Sequence, residues 1–312
     1  MIRHLTIPRG PIELAADLHL PDTDNETGPG PDAEPAPART VVLATPGSSV
    51  KEQIGAEYAS RLAARGIAAL VFDPAHQGRS GGEPRDLEDP YRRGEDLSYA
   101  IDALPTLPGV DPERVGVLGI CAGGGYAVHT ARTDHRIRAV GTVVPGDMGT
   151  SFRGFQPDGA AAALDAMADA RTEENRTGRE VRVPWLPDTP AEAVAEGLTD
   201  LDTTQAVTYY RTERGGHPRS TNRRLARGDS LLLGYDAYHL VDPLMTQPLQ
   251  VVLAGRRGNT GSYESGMRLW ELAPNPVDLM VIEEAGHYEM YDEPAYVDAA
   301  VDRLAAFYTR HL

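Results

Sequence analysis

The pentapeptide Gly119-Ile120-Cys121-Ala122-Gly123 follows directly on the apolar run Val115-Gly116-Val117-Leu118. A short buried strand that runs into Gly-x-Cys-x-Gly predicts a sharp turn from strand to helix with the cysteine at its tip. The cause is steric. A residue raised on such a turn leaves no room for side chains two positions before and after it, and glycine fills both places here. Cys121 is the single cysteine of the 312 residues, so an internal disulfide and any multi-cysteine metal site are excluded. A lone cysteine beside a strand is also compatible with an inert core residue. The catalytic reading gains from a histidine placed late in the chain, after a second apolar strand, in Val281-Ile282-Glu283-Glu284-Ala285-Gly286-His287. Nucleophile first and histidine last is a recurrent chain order for a nucleophile–base pair.

Around this pair the pattern alternates short apolar strands with helical stretches, which predicts an α/β fold with a mostly parallel central sheet flanked by helices. Strands are expected at 41–44, 68–72, 115–120, 139–144, 249–254 and 279–282, and helices at 54–65, 91–104, 124–132, 266–272 and 294–307. Segments 5–7 and 12–20 read as edge strands, and residues 21–39, rich in Pro, Gly, Asp and Glu, as a solvated surface insertion. Between 145 and 242 the alternation gives way to helical stretches at 159–175, 190–195 and 202–211. The expected organisation is a core over 1–145 and 242–312 with an inserted helical cap over 146–241.

Asp and Glu total 46 against 30 Lys and Arg, a formal charge of −16 that repels phosphate backbones and anionic lipid. Nucleic acid and membrane are therefore not expected partners, and a small molecule is. No apolar run approaches the roughly 20 residues that span a bilayer, and the chain start lacks the apolar segment of a signal peptide, so a cytoplasmic protein is expected. No cofactor or metal is called for, and a homodimer is left open.

With these residues assembled the chain resembles the dienelactone-hydrolase-like group of α/β-hydrolases, and within it the YcjY-like subfamily. The resemblance spans nearly the whole chain. It rests on Pro46-Gly47-Ser48-Ser49-Val50-Lys51-Glu52-Gln53, on the run from Phe72 through Gly78-Arg79-Ser80-Gly81-Gly82-Glu83-Pro84-Arg85, on the Cys121 turn, on Tyr209-Tyr210-Arg211-Thr212 and on Gly286-His287-Tyr288-Glu289-Met290-Tyr291-Asp292. It implies the α/β-hydrolase fold and hydrolysis of an ester, lactone or thioester of a small organic or natural-product substrate, in the setting of secondary metabolism. Cys121 would be the nucleophile and His287 the base. The helix N-terminus beneath Cys121 is expected to lower its thiol pKa. The backbone of Ala122 and of Ser48 would form the oxyanion site.

Relatives often carry an acid after the strand at 249–254, where this chain has Gly258-Asn259-Thr260. Asn259 is the first candidate to orient His287, and Glu264 the nearest carboxylate. Asn259 can hold an imidazole but cannot neutralise its charge. Ser49, Asp73, His76 and Asp147 are candidates for substrate contact, each with a structural alternative as a turn or helix cap. Trp185, Tyr209 and Tyr210, with Phe152 and Phe155, would line a pocket or pack the cap on the core. Two other outcomes stay open: a non-hydrolytic cyclisation or rearrangement on the same scaffold, motivated by the missing acid and by a large cap that could exclude water, and a binding module that has lost catalysis.

Overall fold

Successive residues of a strand point to opposite faces of a sheet, so a strand buried on both faces must be apolar throughout. In the computed structural model, which describes residues 1–22 and 37–312, β3 (Ala38–Ala44) shows this directly. Val42 and Ala44 enter one apolar core while Val41 and Leu43 enter another on the opposite face. The surface insertion expected at 21–39 lies mostly outside the described residues.

The chain opens with the antiparallel pair β1 (Ile2–Arg9) and β2 (Ile12–His19). After β3 come an irregular turn at Lys51–Gly55, α1 (Ala56–Ala63), β4 (Ala68–Phe72), α2 (Pro90–Ala103), β5 (Val110–Ile120), α3 (Ala122–Ala131) and β6 (Ile137–Val143). A long excursion then leaves the sheet through α4 (Met148–Gly154), α5 (Gly159–Thr177), β7 (Arg182–Pro184), α6 (Pro190–Ala195), α7 (Leu201–Arg211), β8 (Arg223–Leu225), α8 (Asp229–Leu233) and α9 (Val241–Leu244). The chain returns as β9 (Leu249–Arg256), α10 (Ser262–Leu272), β10 (Pro276–Gly286) and α11 (Pro294–His311). The sheet runs β1-β2-β4-β3-β5-β6-β9-β10; β2 is antiparallel to β4, and every pair from β4 to β10 is parallel.

Each expected strand and helix is present, with ends displaced by a few residues. The helix expected from residue 54 starts two residues later, because the wide turn at Lys51–Gly55 precedes it. The three-residue strands β7 and β8, which pair antiparallel, are too short to show alternation in the sequence. One sheet face carries α2, α3 and α10, the other α1 and α11, and Cys121 packs against both cores at the C-terminal edge of β5.

The excursion has its own small apolar cluster of Phe152, Leu232 and Leu233, against which Trp185 packs. Its longest helix, α5, buries no residue. No described helix is long and apolar enough to cross a membrane.

The glycines of the Cys121 turn are sterically required. A β-carbon on Gly119 would lie 2.3 Å from the Gly123 carbonyl oxygen, and one on Gly123 would lie 2.0 Å from the Ala44 carbonyl oxygen. Both obstacles are backbone and cannot swing aside. Gly123→Ala is expected to destabilise the fold by about 1–3 kcal/mol, the cost of overpacking a close-packed site. Equilibrium denaturation reads it, and an unchanged midpoint would refute the steric account.

Candidate active site

Cys121 occupies φ 55° and ψ −124°, between the end of β5 and the first residue of α3. A non-glycine residue at positive φ is strained, and the surrounding backbone holds it there. The Cys121 N–H donates to the Val143 carbonyl at 3.0 Å, while its own carbonyl accepts from Gly124 at 2.9 Å and Gly146 at 2.8 Å. These bonds fix the turn. The Ala122 N–H and the Tyr291 hydroxyl lie near enough to the sulfur to favour the thiolate. Burial opposes them and prevails, pushing the Cys121 thiol above its ordinary value. The lowered thiol pKa expected from the helix terminus is thus opposed by desolvation of the sulfur.

His287 follows β10 and is fully enclosed, and burial lowers its imidazole to about 4, against the pull of Asp202. Its Nδ1 meets the Ser262 hydroxyl at 2.9 Å and the Thr260 hydroxyl at 3.4 Å. Its Nε2 meets the Tyr291 hydroxyl at 3.3 Å. Asp202, at the start of α7, sends one carboxylate oxygen to the Thr260 N–H and hydroxyl, both at 2.8 Å. A carboxylate can only accept, so the Thr260 hydroxyl donates to Asp202 and turns a lone pair towards Nδ1. Nδ1 thus faces two hydroxyls backed by Asp202, and Nε2 faces the Tyr291 hydroxyl. The other oxygen of Asp202 is buried without a partner among the described residues.

Asp202 fits because position 258 is glycine: a β-carbon there would lie 2.1 Å from the carboxyl carbon of Asp202. Asn259 is placed otherwise. It lines the cavity, but its amide reaches Thr203 at 3.5 Å and not the His287 ring. Glu264 is an exposed residue whose carboxylate pairs with Arg257 at 3.5 Å.

Cys121, Ala122, Ser48, Asp202, His287 and Tyr291 all face one cavity of about 380 Å³, within the range of small-molecule sites. Its far wall is aromatic and apolar, with Met148, Phe152, Phe155, Trp185 and Leu186 from the excursion and Tyr210 and Tyr288 nearer the nucleophile. Ser48 sits in a strained turn at φ 60°. Buried Arg93 steadies that turn by donating to the Thr45 and Pro46 carbonyls, both at 2.9 Å, while Glu88 balances its charge at 3.2 Å.

The remaining sequence candidates lie away from the cavity. Asp73 is fully buried and accepts from the Lys51 and Arg79 N–H groups at 2.8 and 2.7 Å, which makes it a turn anchor. Asp147 caps α4, accepting from Gly149 at 3.1 Å and from the Thr150 hydroxyl at 2.6 Å. Ser49 is buried against Gln53 at 3.3 Å, and His76 meets the Pro84 carbonyl at 3.0 Å. Tyr209 stacks edge-on against Tyr210 and Tyr291, with ring centroids 4.9 and 5.1 Å apart. Among the described residues, no group of three or more His, Cys, Asp or Glu converges as a metal site.

The sheet order, the cysteine at the strained turn and the late histidine define an α/β-hydrolase, and the chain belongs to the alpha/beta hydrolase family, whose model matches residues 41–300. Its likeness to YcjY of Escherichia coli K12 is 36% identity over 307 residues, covering 96% of this chain and 95% of that one. PA2218 of Pseudomonas aeruginosa is 31% identical over 312 residues, covering 96% of this chain and 78% of the relative. The crystal structure of PA2218 superposes with a TM-score of 0.86 at 27% identity, covering 100% of this chain and 94% of that one. A more distant relative, the thiohydrolase aneE of Aspergillus aculeatus, is 24% identical over 253 residues, 80% of this chain and 78% of its own.

Burial of the sulfur carries a direct consequence. Alkylation of Cys121 by iodoacetamide is expected to be slow at pH 7 and to rise with pH, with an apparent pKa above the free value of about 8.5. A rate plateau reached below pH 7 would show a resting thiolate instead.

Proposed function

We propose that the chain is a cysteine hydrolase that cleaves an ester, lactone or thioester of a small organic or natural-product acyl group. What carries the reading is the convergence on one cavity of a strained cysteine, a buried histidine, and a carboxylate linked to the ring through Thr260. The likeness to a protein named a thiohydrolase supports a thioester among the substrates. The excursion from α4 to α9 acts as a cap that supplies the acyl-binding wall and also the acid, Asp202.

The raised thiol and lowered imidazole mean that the resting pair is neutral, so the thiol must lose its proton as it attacks. Tyr291 stands between them. The Cys121 proton passes to the phenol oxygen as the phenol proton passes to Nε2, and sulfur bonds to the carbonyl carbon. The carbonyl electron pair moves onto oxygen, facing the N–H groups of Ala122 and Ser48. As the tetrahedral adduct collapses, the bond to the leaving group breaks and the imidazolium returns its proton to that heteroatom. Water, deprotonated by the same imidazole, then releases the acid and restores the thiol. Asp202 stabilises the imidazolium through Thr260, a task Asn259 could not perform.

Assignment of the acid to Asp202 answers one of the two motives for a non-hydrolytic reaction, the missing acid, and leaves the other, a cap that could exclude water. The elevated thiol pKa favours a second reading, a module that binds without reacting. Turnover of p-nitrophenyl and thioester substrates separates the two. The hydrolase predicts measurable kcat/KM that falls by about 10⁵ or more in Cys121→Ala. Absence of turnover, or activity unchanged in that variant, sinks it.

Three further outcomes bear on the roles. Asp202→Asn is expected to lower kcat by roughly 10²–10⁴ by uncoupling the charge behind the ring, whereas Asn259→Ala stays within a few-fold of the parent. Tyr291→Phe is expected to lower kcat by about 10² if the hydroxyl relays the proton; an undiminished rate would mean that sulfur and imidazole meet directly. The base must be neutral to act, and its pKa is lowered to about 4. The acid limb of kcat/KM should therefore lie near pH 4, not near 6.5, with full base activity at all higher pH.

A further inference from the structure

A second cavity, of about 300 Å³, adjoins the reaction cavity and shares Ser48 with it as a wall. Its lining differs in kind. Where the first is aromatic and apolar, the second is lined by Arg85, Arg219 and Arg223 with Gln77 and Thr221. In a chain of formal charge −16, three guanidinium groups around one small cavity are a local reversal of the prevailing field.

The partners show which charges are free. Arg223 is taken up by Asp188 at 2.7 Å. Arg85 spends its guanidinium on the Ser80 and Gly78 carbonyls at 2.5 and 2.8 Å, and no carboxylate pairs with it among the described residues. Arg219 has one acidic neighbour, Glu52 at 3.5 Å, which Lys51 approaches more closely at 3.1 Å. The acid within the lining, Asp86, is engaged by Arg182 at 3.0 Å and by the Thr221 hydroxyl at 2.8 Å. Arg85 and Arg219 thus face the cavity with charge left for a ligand.

We infer that this cavity receives an oxyanion, phosphate or carboxylate, carried on the leaving group of the substrate. The inference rests on the hydrolase reading for its orientation. A carbonyl held at Ser48 has two substituents. The acyl side fits the apolar cavity, and the leaving group is directed past Ser48 to the arginines. Ser48 lines both cavities, which places the anion on the leaving-group side of the carbonyl. Arginine matches phosphate and carboxylate equally in kind, through paired N–H donors in one plane.

The test uses three thioesters of one acyl group, whose leaving thiols are 2-mercaptoethanol, 3-mercaptopropionate and 2-mercaptoethyl phosphate. The full-length protein is expected to prefer one or both anionic substrates by about tenfold or more in kcat/KM, and Arg85→Gln and Arg219→Gln to lower that ratio several-fold. The ratio is the readout because a variant with damaged packing lowers all three values together. Preference for the phosphate alone or the carboxylate alone identifies the source of the oxyanion. Binding of 2-hydroxyethyl phosphate and 3-hydroxypropionate to Cys121→Ala, by titration calorimetry, reads the site without turnover. Binding weakened by both arginine variants supports the site even if no thioester is cleaved, in which case the hydrolase reading alone fails. Equal kcat/KM for all three thioesters, or binding indifferent to both arginines, overturns the inference.

Discussion

The Ala44 carbonyl oxygen lies so near the α-carbon of Gly123 that no side chain fits between them, and the reaction cavity is built on that contact. It lets α3 begin directly under the end of β3. Cys121 is thereby forced to φ 55° at the rim of the sheet, with its sulfur beside the first N–H of the helix. Strand order does the rest. With β5 central and β10 at the far edge, the loops after the parallel strands bring residues 48, 121 and 287 to one end of the sheet, where open α/β folds bind ligands.

Two buried titratable groups then oppose each other's needs. Enclosure raises the thiol and lowers the imidazole, so neither carries charge at rest. In the proposed reaction that arrangement leaves activation to the moment of attack. Asp202 belongs to the excursion and reaches His287 through Thr260. One segment therefore supplies both a wall of the cavity and the carboxylate behind the ring.

The fold, the Cys121 turn and the placing of His287 were legible because each is set by local sequence: a glycine pattern with a steric cause, apolar runs of strand length, and a histidine just past the last of them. The carboxylate behind the ring was not. Asp202 opens an ordinary helix, and its sequence signal is that of a first-turn carboxylate. Only the bare α-carbon of Gly258, far along the chain, marks the space it fills. Tyr291 was hidden by proximity, since a tyrosine four residues after a histidine reads as packing until the turn between them brings its hydroxyl to Nε2. Asp73 and Asp147 show the converse: residues of the right chemistry on the right edge of the sheet whose oxygens are consumed, by backbone N–H groups at Asp73 and by backbone N–H groups, Thr150 and Arg268 at Asp147.

In the proposed reaction the sulfur of Cys121 becomes covalently bonded to the acyl carbon. Quenched-flow mixing with an activated ester of slow deacylation, followed by intact mass and peptide mapping, addresses it most directly. One acyl group per chain is expected on the peptide containing Cys121, appearing and decaying at rates that match turnover. Sustained turnover with no adduct on that peptide, or an adduct on another side chain, would contradict it.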